Sequence, residues 1–193
     1  MDYFRFSHIK ELITNRSLIW FLTASFLITG TACKELLDVK RTFTFEQEFT
    51  IIESESTSFS ELEIVNMAAA QSLIAEYGEK IKKIEIQELK YWLKNYEGPD
   101  GQTLINLDFD VARMDGTNVT NILSINDVVL AGLVNNPTVA NVNNEGIAFA
   151  GELIKTPPHN LWFQVSGNLN EGPISFTMAF EFKIQMTANP LSK

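Results

Sequence analysis

Residues 173–190 read PISFTMAFEFKIQMTANP, and this stretch decides the fold. Ile174, Phe176, Met178, Phe180, Phe182, Ile184 and Met186 share one face at a period of two. Ser175, Thr177, Ala179, Glu181, Lys183, Gln185 and Thr187 share the other. A helix scatters such alternation around its axis, whereas a strand gathers it on one side. The stretch therefore predicts a long, half-buried β-strand. Just upstream, NLWFQVSGNL places Leu161, Phe163 and Val165 together. Asn168 to Gly172 reads as a turn, so the two segments predict a hairpin.

The same period recurs along the chain. Residues 41–51, RTFTFEQEFTI, align Phe43, Phe45, Phe49 and Ile51, with Gln47 as the polar interruption. Residues 103–111, TLINLDFDV, align Ile105, Leu107, Phe109 and Val111 as the inward set. Residues 81–95 start in one frame with Ile84 and Ile86 and continue in the other with Leu89, Tyr91 and Leu93. That switch predicts a β-bulge near Gln87 and Glu88. Glu97-Gly98-Pro99-Asp100-Gly101 is a turn, so 81–111 predicts a second hairpin. VVLAGLV, within 120–134, predicts a short strand.

Two segments carry helical spacing instead. Met67, Ala70, Ile74, Tyr77 and Ile81 recur at steps of three and four, with Asn66 as N-cap and Gly78 as stop. Val139, Val142, Gly146, Phe149 and Leu153 repeat the spacing between Asn136-Pro137 and Pro157-Pro158. The expected fold is mainly β, an antiparallel β-sandwich with two short helices, whose phenylalanine-rich faces meet.

Composition agrees with one globular domain: 193 residues, 45% hydrophobic and 20% charged, with 14 phenylalanines. The formal charge is −9. Residues 1–32 hold Arg5, Lys10 and Arg16 against Asp2 and Glu11, so the acidity belongs to the rest. An acidic surface repels phosphate backbones, which argues against nucleic acid as a partner.

The first 32 residues have their own logic. A basic start leads into SLIWFLTASFLITG, residues 17–30, which carries no charge, and then the small residues Thr31 and Ala32. This is the layout of a secretory signal. As a helix the apolar part rises about 21 Å, short of the roughly 30 Å hydrocarbon core, which disfavours a permanent span. Cys33, the single cysteine, follows directly.

Gly30-Thr31-Ala32-Cys33 resembles the lipobox of bacterial lipoproteins, with Gly30 where Leu usually stands, as in the relaxed boxes of Bacteroidota. The resemblance implies that Cys33 receives a diacylglyceryl group and acyl chains such as palmitate, and becomes the first mature residue. Lys34 and Glu35 resemble the charged segment that can direct such lipoproteins to the outer face of the outer membrane. The implied organisation is a signal peptide at 1–32, a lipidated cysteine and tether at 33–40, and a β-rich domain at 41–193. The implied location is the cell envelope, periplasmic or surface-exposed. With one cysteine there is neither a disulfide framework nor a cysteine-based metal site.

Catalytic chemistry finds little material. His159, in TPPHN, is the only histidine after the signal, and no Gly-x-Ser-x-Gly elbow, Walker loop or dinucleotide fingerprint accompanies it. It reads as a solvated loop residue. Asp108, Asp110 and Asp115 offer oxygen ligands, but not at EF-hand spacing, and the first two fit the polar face of a strand. Asn118-Val119-Thr120 matches a glycosylation sequon, which means little in a bacterial lipoprotein. No metal, cofactor or enzymatic activity is expected.

Binding has better candidates. With Leu89, Tyr91 and Leu93 inward, Lys90, Trp92 and Lys94 point outward. A tryptophan between lysines can stack on a sugar or anchor a protein. The competing reading is a ring covered by a helix, with the lysine stems beside it. Trp162, between Leu161 and Phe163, is open to the same two readings. The expected function is a lipid-anchored envelope module that binds a glycan or an envelope protein, with Trp92 or Trp162 exposed. The alternative is an assembly subunit whose exposed edge strand, 173–187, pairs with another chain.

Overall fold

The computed structural model describes residues 37–53 and 56–192. The chain divides at Asp38, and Val39–Lys193 forms the compact unit described here. Its strands are β1 (Val39–Glu53), β2 (Ser58–Asn66), β3 (Ile81–Lys94), β4 (Thr103–Ala112), β5 (Thr120–Val129), β6 (Thr138–Val139), β7 (Asn160–Leu169) and β8 (Ile174–Ala188). Two four-stranded sheets form, in the orders β1-β8-β3-β6 and β2-β7-β4-β5, and all their pairings are antiparallel. The antiparallel β-sandwich expected from the sequence is the fold, and its strand order is that of a jelly roll.

Phenylalanines hold the two sheets together. Phe109 of β4 stacks on Phe180 of β8 at 3.9 Å between centroids, across the sheet gap. Phe49 meets both rings edge-on, at 5.9 and 6.0 Å. Phe163 stacks against Phe109 at 5.3 Å and Phe182 at 5.4 Å. Farther along, Phe59 and Phe176 close the gap in a T-shaped pair at 5.7 Å. The edge-on contacts are arrangements that ring quadrupoles favour, and the near-parallel Phe109–Phe180 pair gains from dispersion and burial.

The strands stand close to where periodicity places them, and β3 bulges between Ile86 and Glu88 as expected; in β4, however, the register shifts between Leu104 and Asn106, so Leu104 is buried and Ile105, expected inward, is exposed. Their partners differ from expectation. β7 and β8 lie in different sheets, as do β3 and β4, so neither expected hairpin exists. Each connection arches from one sheet to the other. Among the described strands, β4 and β5 are the one consecutive pair that is hydrogen-bonded. At the far end the Gln102 amide ties two arches together, its Nε2 donating to the Glu171 carbonyl at 2.7 Å and the Pro173 carbonyl at 3.0 Å. β8 is central, flanked by β1 and β3 along its length, so 173–187 is not an edge strand. The VVLAGLV run falls at the end of β5 and in the 3-10 turn Leu130–Leu133.

β2 has no counterpart in the sequence reading. In SFSELEIVN the inward set is Phe59, Glu61, Glu63 and Val65, while Leu62 (48% exposed) and Ile64 (59% exposed) face outward. Apolar residues divided between both faces leave no period of two. The inward glutamates lie on an edge strand, where charge discourages pairing with foreign strands.

The helices also depart in detail. The first segment breaks into α1 (Met67–Ala70), α2 (Ser72–Tyr77) and a 3-10 turn at Gly78–Lys80. Asn66 caps α1, accepting from the Ala69 amide at 2.8 Å, and Gln71 interrupts the run with extended backbone. α3 covers Asn144–Lys155, with Asn143 accepting from the Glu145 amide at 3.0 Å. Its expected start is instead β6, where Thr138 and Val139 pair with Tyr91 and Lys90. Gly146 and Gly151 explain how α3 seats. A Cβ at Gly146 would stand 2.1 Å from the Asn121 carbonyl oxygen of β5, and one at Gly151 3.1 Å from that of Ile84 in β3. The helix thus rests directly on one strand from each sheet and closes that side of the sandwich.

Replacing Phe109 by Ala removes the ring that four other phenylalanines touch. A loss of about 3–5 kcal/mol in urea unfolding is expected, whereas Ile64→Ser on the outer face should change stability by less than about 0.5 kcal/mol.

Candidate functional site

Trp92 lies on the outer face of the first sheet, in one row with Ala179 of β8 and Glu48 of β1. Its neighbours in β3, Leu89, Tyr91 and Leu93, enter the core as the alternation requires. The ring is nevertheless 8% exposed. Lys94 covers it, with Nζ 5.3 Å from the ring centroid. Lys94 is itself held by Glu46 and by Glu48, the latter at 2.6 Å. These bonds raise the Lys94 pKa and, with Lys94 as the chief cause, lower that of Glu48. Lys90 bonds to Glu88 at 3.2 Å and approaches Glu181 at 3.7 Å, and its pKa rises chiefly through Glu88. The expected exposed platform is therefore absent at Trp92. Lys94 of β3, held by two glutamates of β1, covers the ring, and Ala179 and Thr177 on the same face are buried.

Trp162 faces outward on the second sheet, opposite Ile64 of β2 and Ala112 of β4, and is 7% exposed. Neither tryptophan has the exposure expected of it, and neither presents an open face of the kind that stacks on a sugar. Trp92 and Trp162 also lie in different sheets and form no common site.

Beside Trp162 the outer face of this sheet is a polar lattice. Asn121 Nδ2 donates to Asp110 at 2.9 Å, and Ser124 Oγ donates to Asp108 at 2.6 Å. Asn168 bonds Asn106 at 2.9 Å, and Ser58 bonds Asn168 at 2.6 Å. Asp115 stands apart in the β4–β5 turn, accepting from Thr117 Oγ1 at 2.6 Å, which lowers its pKa. Among the described residues no group of His, Cys, Asp and Glu is arranged to hold a metal ion.

A cleft of about 550 Å³ opens between the β4–β5 turn, the second half of α3 and residues 156–160. Arg113 places its guanidinium 5.7 Å over the Phe149 ring, and Leu153, Pro157 and Pro158 complete the apolar wall. Glu152 at its margin is paired with Lys155 at 3.0 Å. Periodicity gave no sign of this cleft, because turns and a helix end build it. His159 follows the cleft residues Pro157 and Pro158 but is buried, not solvated as expected. Its Nδ1–H donates to the Ile154 carbonyl at 2.8 Å, satisfying a carbonyl of the last turn of α3. The histidine is thus a helix terminator, and among the described residues no nucleophile is bonded to its ring. Cys33 lies outside the described residues. Among the described residues no helix is long and apolar enough to cross a membrane.

No protein-family model matches the chain, and no curated protein matches it in sequence. Among solved structures it is similar to Desmodium yellow mottle tymovirus, at 14% identity over 80% of this chain and 91% of that one, with a TM-score of 0.35. Turnip yellow mosaic virus shares 6% identity over 80% and 98%, with a TM-score of 0.33. The decameric BFDV capsid protein shares 7% over 77% and 98%, with a TM-score of 0.35. The fold assignment rests on strand order and not on these similarities.

Burial lifts the Asp110 pKa above the ordinary carboxylate value, Asn121 opposes the shift and Asp108 adds to it. The folded state then binds the Asp110 proton more tightly than the unfolded chain. Its contribution to stability is greatest below the ordinary carboxylate pKa and is lost as pH rises through the raised value. Asp110→Asn should flatten that part of the pH dependence and raise stability at neutral pH. Urea midpoints measured across the window check this, and equal slopes in both proteins would contradict it.

Proposed function

We propose that this chain is a lipid-anchored module of a bacterial cell envelope that acts by binding or as a structural component and not by catalysis. The observation that carries the reading is the position of Cys33. It ends a signal-like segment and stands six residues before Val39, where the β domain begins. The lipid is the membrane anchor, and the sandwich is the part that meets an envelope protein. In support of a role other than catalysis, the buried His159 ring is committed to the Ile154 carbonyl. Two or three acyl chains would hold the protein firmly, where one holds only marginally.

A second reading, assembly through a sheet edge, is favoured by β1. Fifteen residues of β1 pair with β8 without a register break. The Thr44 carbonyl accepts from Gln71 Nε2 at 3.3 Å, outside the ladder, and by the alternation of an antiparallel pair the even-numbered residues of β1 then turn their backbone groups to the free edge. From Glu46 to Ile52 these residues are exposed. Such an edge is a template for another strand.

Cys33→Ser should abolish labelling by a fatty-acid analogue and release the protein from the membrane fraction; retained labelling would overturn the anchor. Thr50→Pro removes an edge-facing N–H while sparing the β1–β8 ladder. It should abolish concentration-dependent association in analytical ultracentrifugation with the fold intact, and association that survives it excludes β1 as the edge used.

A further inference from the structure

One side of the sandwich is closed and the other is open. α3 lies across β3 and β5 on the closed side. On the open side β1 and β2 are the outermost strands of their sheets. The other outermost strands are poor templates for a further strand. β6 has two residues, and β5 bulges opposite Phe109 and Asp110 and lies against α3. β2 turns Glu61 and Glu63 inward. β1 has an unbroken ladder and no such device.

The outward backbone groups of β1 are visible in what serves them. The carbonyls of Lys40, Thr44 and Glu48 accept from side chains, those of Arg41 at 3.3 Å, Gln71 at 3.3 Å and Gln47 at 3.1 Å. All three carbonyls are even-numbered, and all three bonds are exposed and at the long end of the range. Past the Gln71 contact, the seven residues Glu46 to Ile52 leave their even-numbered backbone groups open to a partner.

This side carries charge of one sign. Residues 42–79, from β1 to the turn after α2, contain eight glutamates and no aspartate, lysine or arginine. Glu46, Glu48 and Glu53 belong to β1, and Glu61 and Glu63 to β2. Neighbouring strands supply few cations. Lys94 is committed to Glu46 and Glu48, and Lys183 of β8 lies in the row of Thr44. Among the described residues, Glu53, Glu61 and Glu63 form no ion pair.

We propose, resting on the edge-pairing reading above, that β1 takes as an added strand an extended basic segment of another protein. The segment matches Glu46 to Ile52 in length and carries Lys or Arg at alternate positions. Main-chain bonds to the even-numbered residues of β1 supply affinity. Side chains opposite Glu46 and Glu48 fall on the outer face beside those carboxylates. The alternate side chains project over the mouth of the sandwich, toward Glu61 and Glu63. Two copies of this chain meeting edge to edge set the acidic side against itself, so self-association is the weaker use of the edge.

The test uses the full chain in detergent and a capped, fluorescently labelled heptapeptide of alternating Lys and Val, read by anisotropy. The peptide should bind, and a Glu-Val peptide of the same length should bind at least about tenfold more weakly. N-methylation of the Lys-Val peptide throughout keeps its charge, removes its ladder donors and should cost at least about tenfold. Thr50→Pro should do the same, and Glu61→Gln/Glu63→Gln should cost at least about threefold, both with unchanged circular dichroism. Equal binding of the two peptides, lost in Thr50→Pro, overturns the basic partner and leaves β1 as the pairing edge. Binding that neither Thr50→Pro nor N-methylation changes overturns edge pairing itself. No binding of either peptide, with self-association lost in Thr50→Pro, gives the edge to a second copy and overturns the proposal. No binding and no self-association overturn the proposal and the edge-pairing reading together.

Discussion

The stack of Phe109 on Phe180 is the contact on which the sandwich depends. Two sheets joined by arches share few backbone bonds, so their association comes from side chains in the gap. Phe109 lies at the centre of that gap and touches rings from β1, β7 and β8. The abundance of phenylalanine thus follows from the topology. A sheet pair with little hydrogen bonding between its layers needs large, rigid, well-fitted apolar groups to fix their separation.

The strands were legible because each has one face in that gap. Seven alternations in β8, and the frame shift in β3 that becomes a bulge, could be read directly from residue order. The partners were not legible. A turn such as Glu97 to Gly101 reverses the chain whether the next strand pairs beside the last or crosses to the other sheet, and local sequence does not distinguish them. β2 escaped because Glu61 and Glu63 occupy inward positions at an open edge, where water still reaches them. The helix ends were misplaced where tertiary contacts outweigh periodicity. Gly146 looks like a weak helix residue until the carbonyl of Asn121 is found against it.

The candidate site divides in the same way. The outward direction of Lys90, Trp92 and Lys94 follows from alternation, but exposure depends on residues distant in sequence. Glu46 and Glu48 belong to β1 and reach Lys94 only because β8 brings β1 and β3 to either side of itself. A ring that would be a ligand platform on an isolated strand is closed over by this arrangement.

The central place of β8 has a consequence for how the chain can be made. β1, the first strand, finds its ladder partner only in residues 174–188, at the close of the sequence. β3 waits for the same strand. The first sheet therefore cannot assemble before residues 174–188 are made, and closing it means joining segments separated by nearly the whole domain. Until β8 is present, β1 and β3 lack the one strand that joins them, and the first sheet stays unformed.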